Sequence, residues 1–140
     1  MKKKLTLWLV AAILLAAAIW AWKVYNKPHK DFASEKHAFE LSAQELFTAF
    51  GQDEKKANQK YLGQVLLVTG TVQKKDRSDK GKTVLLLQTN DPLFGVSCFL
   101  EDTNRGSDVP EGATVKIKGV CDGYASDVVL THCHIQETNP

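Results

Sequence analysis

"QVLLVTGTVQ", Gln64 to Gln73, decides the fold. It is rich in β-branched and apolar residues, the composition of a strand, and Gly70 interrupts it near the middle. A glycine inside a strand marks a bulge or a sharp bend. A strand bent in this way can pair with two partners at once. Four further runs of the same character follow: "KTVLLLQT", "FGVSCFLE", "ATVKIKGVC" and "DVVLTHCHIQ". Polar, glycine-containing connectors separate them, which predicts five strands over about 64–75, 82–89, 94–101, 113–122 and 127–136.

Five strands bury little unless they close on themselves. The expected fold is therefore mainly β: a five-stranded Greek-key barrel, the OB-fold. In the first strand Val68, Gly70 and Val72 share a face; in the second, Val84 and Leu86; in the third, Phe94, Val96, Cys98 and Leu100. In the fourth, Val115, Ile117, Gly119 and Cys121 alternate with Lys116 and Lys118. The fifth breaks step, with Val128 and Leu130 on one face and Cys133 and Ile135 on the other. A bulge near Thr131–His132 would turn all four inward. Upstream, "LSAQELF" carries a capping box, Ser42 with Glu45, flanked by the hydrophobic staple Leu41–Leu46. This predicts one amphipathic helix over about 42–59, with Gly51 as its weak point. "DTNRGSDVPEG" leaves no room for a long helix between strands three and four, so the 42–59 helix is expected to plug the barrel instead.

Outward from the barrel, "LTLWLVAAILLAAAIWAW", Leu5 to Trp22, is free of charge. Its length suits a membrane-spanning helix, and Trp20 and Trp22 suit the lipid–water interface. Two readings stand: a signal peptide cleaved near Ala16–Ala18, and an uncleaved signal anchor, which the length of the run and the bulky tryptophans favour. The expected organisation is an anchor over 1–22, a polar tether over 23–40 containing Pro28, and an OB domain over 41–137. Lys2, Lys3 and Lys4 form a tighter cluster than Lys23, Lys27 and Lys30. That places the N-terminus inside and the domain outside the cytoplasmic membrane, in a single-pass arrangement.

The chain of 140 residues carries a formal charge of +2, but without Lys2, Lys3 and Lys4 the balance is 15 basic against 16 acidic residues. Overall charge therefore makes no case for nucleic acid. A local case exists at "KKDRSDKGK", Lys74 to Lys82, between strands one and two. Lys74, Lys75, Arg77, Lys80 and Lys82, with Tyr124 in the loop between strands four and five, could hold a phosphate backbone and stack a base. The plainer reading is a solvated turn, since stacking platforms interleave several aromatic and basic groups.

"GVCDGYASDVVLTHCHI", Gly119 to Ile135, holds two of the three cysteines and two of the four histidines. Zinc spacing is absent, and in a strand His132 and His134 point away from Cys133. No Cys-x-x-Cys pair supports thiol catalysis. Exported thiols tend to oxidise, and parallel neighbouring strands three and five favour a Cys98–Cys133 bridge, with Cys121 a buried small hydrophobe. An intermolecular bridge or three reduced thiols stay open. Nucleophile-elbow and P-loop signatures are missing as well. Neither a catalytic residue nor a metal or other cofactor is expected.

"NQKYLGQVLLVTGTV", "GVSCFL", "GATVKIKGVCDG" and "DVVLTHC" resemble the tRNA-anticodon-binding-domain-like family of bacterial OB-fold proteins. The resemblance covers about residues 42–136 and implies a small exported or membrane-attached protein without a catalytic motif. The resulting expectation is a non-enzymatic binding module attached to the membrane by its N-terminal helix. A protein, peptide or envelope ligand would engage the strand two–three face and the loops around 74–82 and 122–127. The alternative is a single-stranded nucleic-acid (tRNA or oligonucleotide) ligand.

Overall fold

One long strand that changes partners next to Gly70 closes a barrel. In the computed structural model β2 (Val65–Arg77) pairs antiparallel with β5 (Thr114–Tyr124) through its first half and with β3 (Thr83–Leu87) through its second. β3 pairs antiparallel with β4 (Val96–Leu100), β4 runs parallel to β6 (Val128–Asn139), and β6 returns antiparallel to β5. The ring β2–β3–β4–β6–β5–β2 has no free edge of its own. The structure describes residues 1–26, 32 and 34–140, without the side chains of Lys2, Leu5, Thr103 and Asn104. Lys27, Pro28 and Lys30 of the expected tether lie outside the described residues.

The bulge expected in the last strand is present. Pairing between β4 and β6 slips between Cys98/Leu130 and Leu100/Cys133, and His132 takes φ +51°. Val128, Leu130, Cys133 and Ile135 are all buried as a result. In β3 Leu85 and Leu87 point inward, and Val84 and Leu86 lie half-buried on the outer face. Lys118 is buried too, although it alternates with the core residues of β5.

The capping box forms as expected, with Ser42 Oγ accepting from Glu45 N at 3.1 Å and Glu45 Oε2 accepting from Ser42 N at 2.7 Å. The single helix expected over 42–59 is two: α2 (Ala43–Gln52) and α3 (Glu54–Tyr61). The break falls at Asp53, which is extended and caps α3 by accepting from Lys56 N. α2 sends Ala43, Leu46 and Phe50 into the same core as Val68, Leu87 and Val96. Gly70 makes room for it: a Cβ there would stand 3.0 Å from that of Ala43. Two further elements extend the barrel, β1 (Phe39–Ser42), parallel to β2, and the short α4 (Thr103–Ser107).

Residues 1–30 form a separate unit built on α1 (Lys2–Tyr25). Its stretch Thr6–Tyr25, 20 residues at mean hydropathy 2.0, is long and apolar enough to cross a membrane.

Candidate ligand-binding face

The outer face of β3 and β4 is apolar. Register sets Val84 beside Phe99 and Leu86 beside Ser97, with Val129 of β6 beside Ser97. All five are half-buried, so the strip is neither core nor freely solvated. It follows from "TVLLL", an apolar run that can turn only alternate residues into the barrel.

At one end of this strip stands the β2–β3 hairpin. Gly81 takes φ +76°, open to glycine at no steric cost, and Ser78 ties the turn through Lys82 N and Gly81 N. Beneath it lies a cavity of about 390 Å³ lined by Lys80, Lys82, Phe99, Glu101, Thr131 and His132 among others. Glu101 sits between two partners there: Lys82 Nζ at 2.9 Å and His132 Nδ1 at 2.9 Å. The Lys82 hydrogen bond is the main reason its carboxyl is held below the usual range, and His132 contributes less. Phe32 packs its ring 4.9 Å from that of His132. Among the described residues His132 is alone in combining a side chain with positive φ, a conformation that costs about 1 kcal/mol and recurs at functional sites.

The basic loop is less available than its composition suggests. Lys74 pairs with Asp76 at 3.1 Å, and Lys75 donates to the carbonyls of Ser107 and Val109 at 2.8 and 3.2 Å. Lys82 is engaged by Glu101, which leaves Arg77 and Lys80 as the loop cations whose side chains have no partner among the described residues. Tyr124 does not join them. It is half-buried, stacked 5.8 Å from Phe50 and edge-on to Phe47 at 6.3 Å. Val128 pairs with Val96 while Val84 pairs with Phe99, so the Tyr124 turn and the hairpin flank opposite ends of β4, about 13 Å apart along the strand. The aromatic side chain beside the hairpin is Phe99. Glu101 and His132 carried no sequence signal for the site, since only the bulge brings them together.

Cys98, Cys121 and Cys133 are free, buried thiols. Burial pushes the Cys121 thiol up; it pushes Cys133 well up, with the adjacent Cys98 thiol adding to the effect. Thiolate chemistry is suppressed in such surroundings. Cys98 and Cys133, the pair the expected bridge would join, lie side by side as thiols. Among the described residues no three His, Cys, Asp or Glu converge as a metal cluster would.

A lipoprotein of Klebsiella pneumoniae, provisionally described as nucleic acid-binding, has a similar solved structure. The TM-score is 0.57 at 16% identity, over 79% of this chain and 100% of that one, which is a likeness of fold. No match is found among curated proteins. The sequence pattern of the tRNA_anti-like family matches residues 1–135, across both the apolar helix and the barrel, and the chain belongs to that family.

Proposed function

We propose that this protein is a membrane-attached, non-catalytic OB-fold binding module acting outside the cytoplasm. It is anchored by residues 1–22, tethered by 23–40, and takes a protein, peptide or envelope ligand across the outer face of β3 and β4. The observation that carries this reading is the make-up of that face. Val84, Leu86 and Phe99 lie side by side, and the cations next to them are largely neutralised or occupied. Such a strip favours apolar side chains of an extended ligand over a phosphate backbone. α1 supports the attachment, and Lys2, Lys3 and Lys4 before it support an inside N-terminus. The test is a photoreactive phenylalanine analogue at position 99, irradiated in intact membranes. A light-dependent adduct to a protein or envelope polymer is expected, absent when the probe replaces exposed Gln52. Equal labelling from both positions, or none from 99, refutes the assignment of the face.

A second reading, single-stranded nucleic acid, is favoured by the description of the Klebsiella protein and by Phe99 standing near Lys80. Salt dependence separates the two. With Arg77 and Lys80 alone free, an oligonucleotide complex should weaken only about sevenfold between 50 and 200 mM salt; five free cations would give about 130-fold. The lead reading expects no anisotropy change with labelled single-stranded DNA or RNA even at low salt. Binding that weakens with salt and with Lys80→Glu would replace it by the second.

A further inference from the structure

Beyond α1, toward the C-terminus, the large apolar side chains exposed among the described residues are Leu62, Leu93 and Phe94. Two of them are adjacent, at the tip of the β3–β4 loop, where Leu93 is 73% and Phe94 40% exposed. The loop does not display them by accident of slack. Asp91 Oδ1 accepts from Leu93 N at 2.8 Å and Phe94 N at 3.0 Å. Thr89 Oγ1 donates to Phe94 O at 2.7 Å, and Gln73 Nε2 donates to Pro92 O at 2.9 Å. At the loop's base Asn90 N donates to Gln44 Oε1.

We propose that this tip is a membrane contact: Leu93 and Phe94 dip into the headgroup–acyl boundary of the bilayer that holds α1. Three features favour lipid as the occupant. Pro92 has no N–H, and the amides of Leu93 and Phe94 are already satisfied within the loop, so entry into a water-poor layer strands neither donor. The loop "TNDPLFG" contains no Lys or Arg, and two side chains are far too small a patch for a stable protein interface. Finally, about thirteen residues join α1 to β1, which keeps a bilayer holding α1 at high effective concentration for the barrel. With no basic residue in the loop, the contact is apolar and needs no anionic lipid. The inference rests on α1 being a membrane anchor.

The test uses the full chain in phosphatidylcholine vesicles, with Leu93→Cys carrying an environment-sensitive fluorophore; the three native thiols are buried and spared. Nitroxide-labelled acyl chains should quench this probe about twofold or more, as for an interfacially buried group, and leave a probe at Asp79→Cys on the β2–β3 hairpin unquenched. Adding Phe94→Ser should reduce quenching at position 93 with melting unchanged, which separates insertion by the loop from insertion by the dye. A chain that does not co-float with vesicles overturns the anchor reading and the inference together. Co-flotation with an unquenched Leu93→Cys probe, or equal quenching at both positions, overturns the loop contact alone. Quenching that appears only with anionic lipid overturns its apolar character.

Discussion

Replacing Gly119 with alanine tests whether the sulfur atoms of this barrel are packing material. A Cβ at position 119 would stand 2.6 Å from Cys133 Sγ, 3.2 Å from Thr131 O and 3.4 Å from Leu130 Cβ. An ordinary heavy-atom contact is about 3.5–4.0 Å, so the sulfur must retreat by roughly 1 Å in a core with no slack. Overpacking of this kind costs about 1–3 kcal/mol. The narrower unfolded ensemble of alanine returns about 0.4–1 kcal/mol. The difference spans about 0–2.6 kcal/mol and centres near 1.3 kcal/mol, so Gly119→Ala should lose roughly 5–10 °C in a domain of this size. Cys133→Ala empties the same space from the other side and should cost about 0.5–3 kcal/mol on its own. In the double variant the new methyl occupies part of the room vacated by sulfur, so the two losses should fall short of additivity by about 1–2 kcal/mol. The assay is urea unfolding of the full chain in detergent micelles, read by pulse labelling of Cys98 and Cys121, which are buried and belong to the barrel alone. Losses that add to within about 0.3 kcal/mol refute the packing argument.

Gly95→Ala should be worse than Gly119→Ala, because its Cβ would overlap the main-chain carbonyl oxygen of Leu87, which cannot rotate away. A loss above about 3 kcal/mol and a mostly insoluble product are expected, read as soluble yield and melting temperature. Lys82→Met should remove a pH dependence. The depressed carboxyl of Glu101 contributes stability that is fully present above its ordinary value of 4.5 and is lost as pH falls through the lower folded-state value. The melting difference between wild type and Lys82→Met should hold steady at neutral pH and close only under acid conditions; a gap that persists there contradicts the assignment. For the thiols, native alkylation should be negligible, and alkylation after unfolding without reductant should add three groups. A single adduct would show that two of the cysteines are bridged.

The barrel was legible because its defining residues act locally. Gly70 marks the strand that trades β5 for β3 one or two residues later, and the loss of step between Leu130 and Cys133 betrays the bulge at His132. The capping box likewise needs only Ser42 and Glu45. The helix break at Asp53 was hidden because Gly51, the weaker helix former, drew the expectation and proved harmless on an exposed face. β1 was missed because "FELS" is short and pairs in parallel with residues 66–69, far along the chain. "TVLLL" lacks an alternation that could say which side of β3 faces inward. The candidate site suffered most. The charges from Lys74 to Lys82 are plain in the sequence, but Glu101 and the carbonyls of Ser107 and Val109, which occupy Lys82 and Lys75, arrive from 19 to 34 positions away. Tyr124 similarly looked free until Phe50 was placed beneath it.

The order of the strands along the chain has a bearing on biosynthesis. β6 pairs with both β4 and β5, so a ribosome that has released everything up to Asp127 has still not delivered the closing stave. β2 waits nearly as long for β5, more than forty residues downstream. Non-local pairings of this kind form late, because loop closure must precede any reward. The apolar segment α1 precedes every one of these strands along the chain. The staves thus stay unclosed until β6 has been made, and the cylinder shuts only with that pairing.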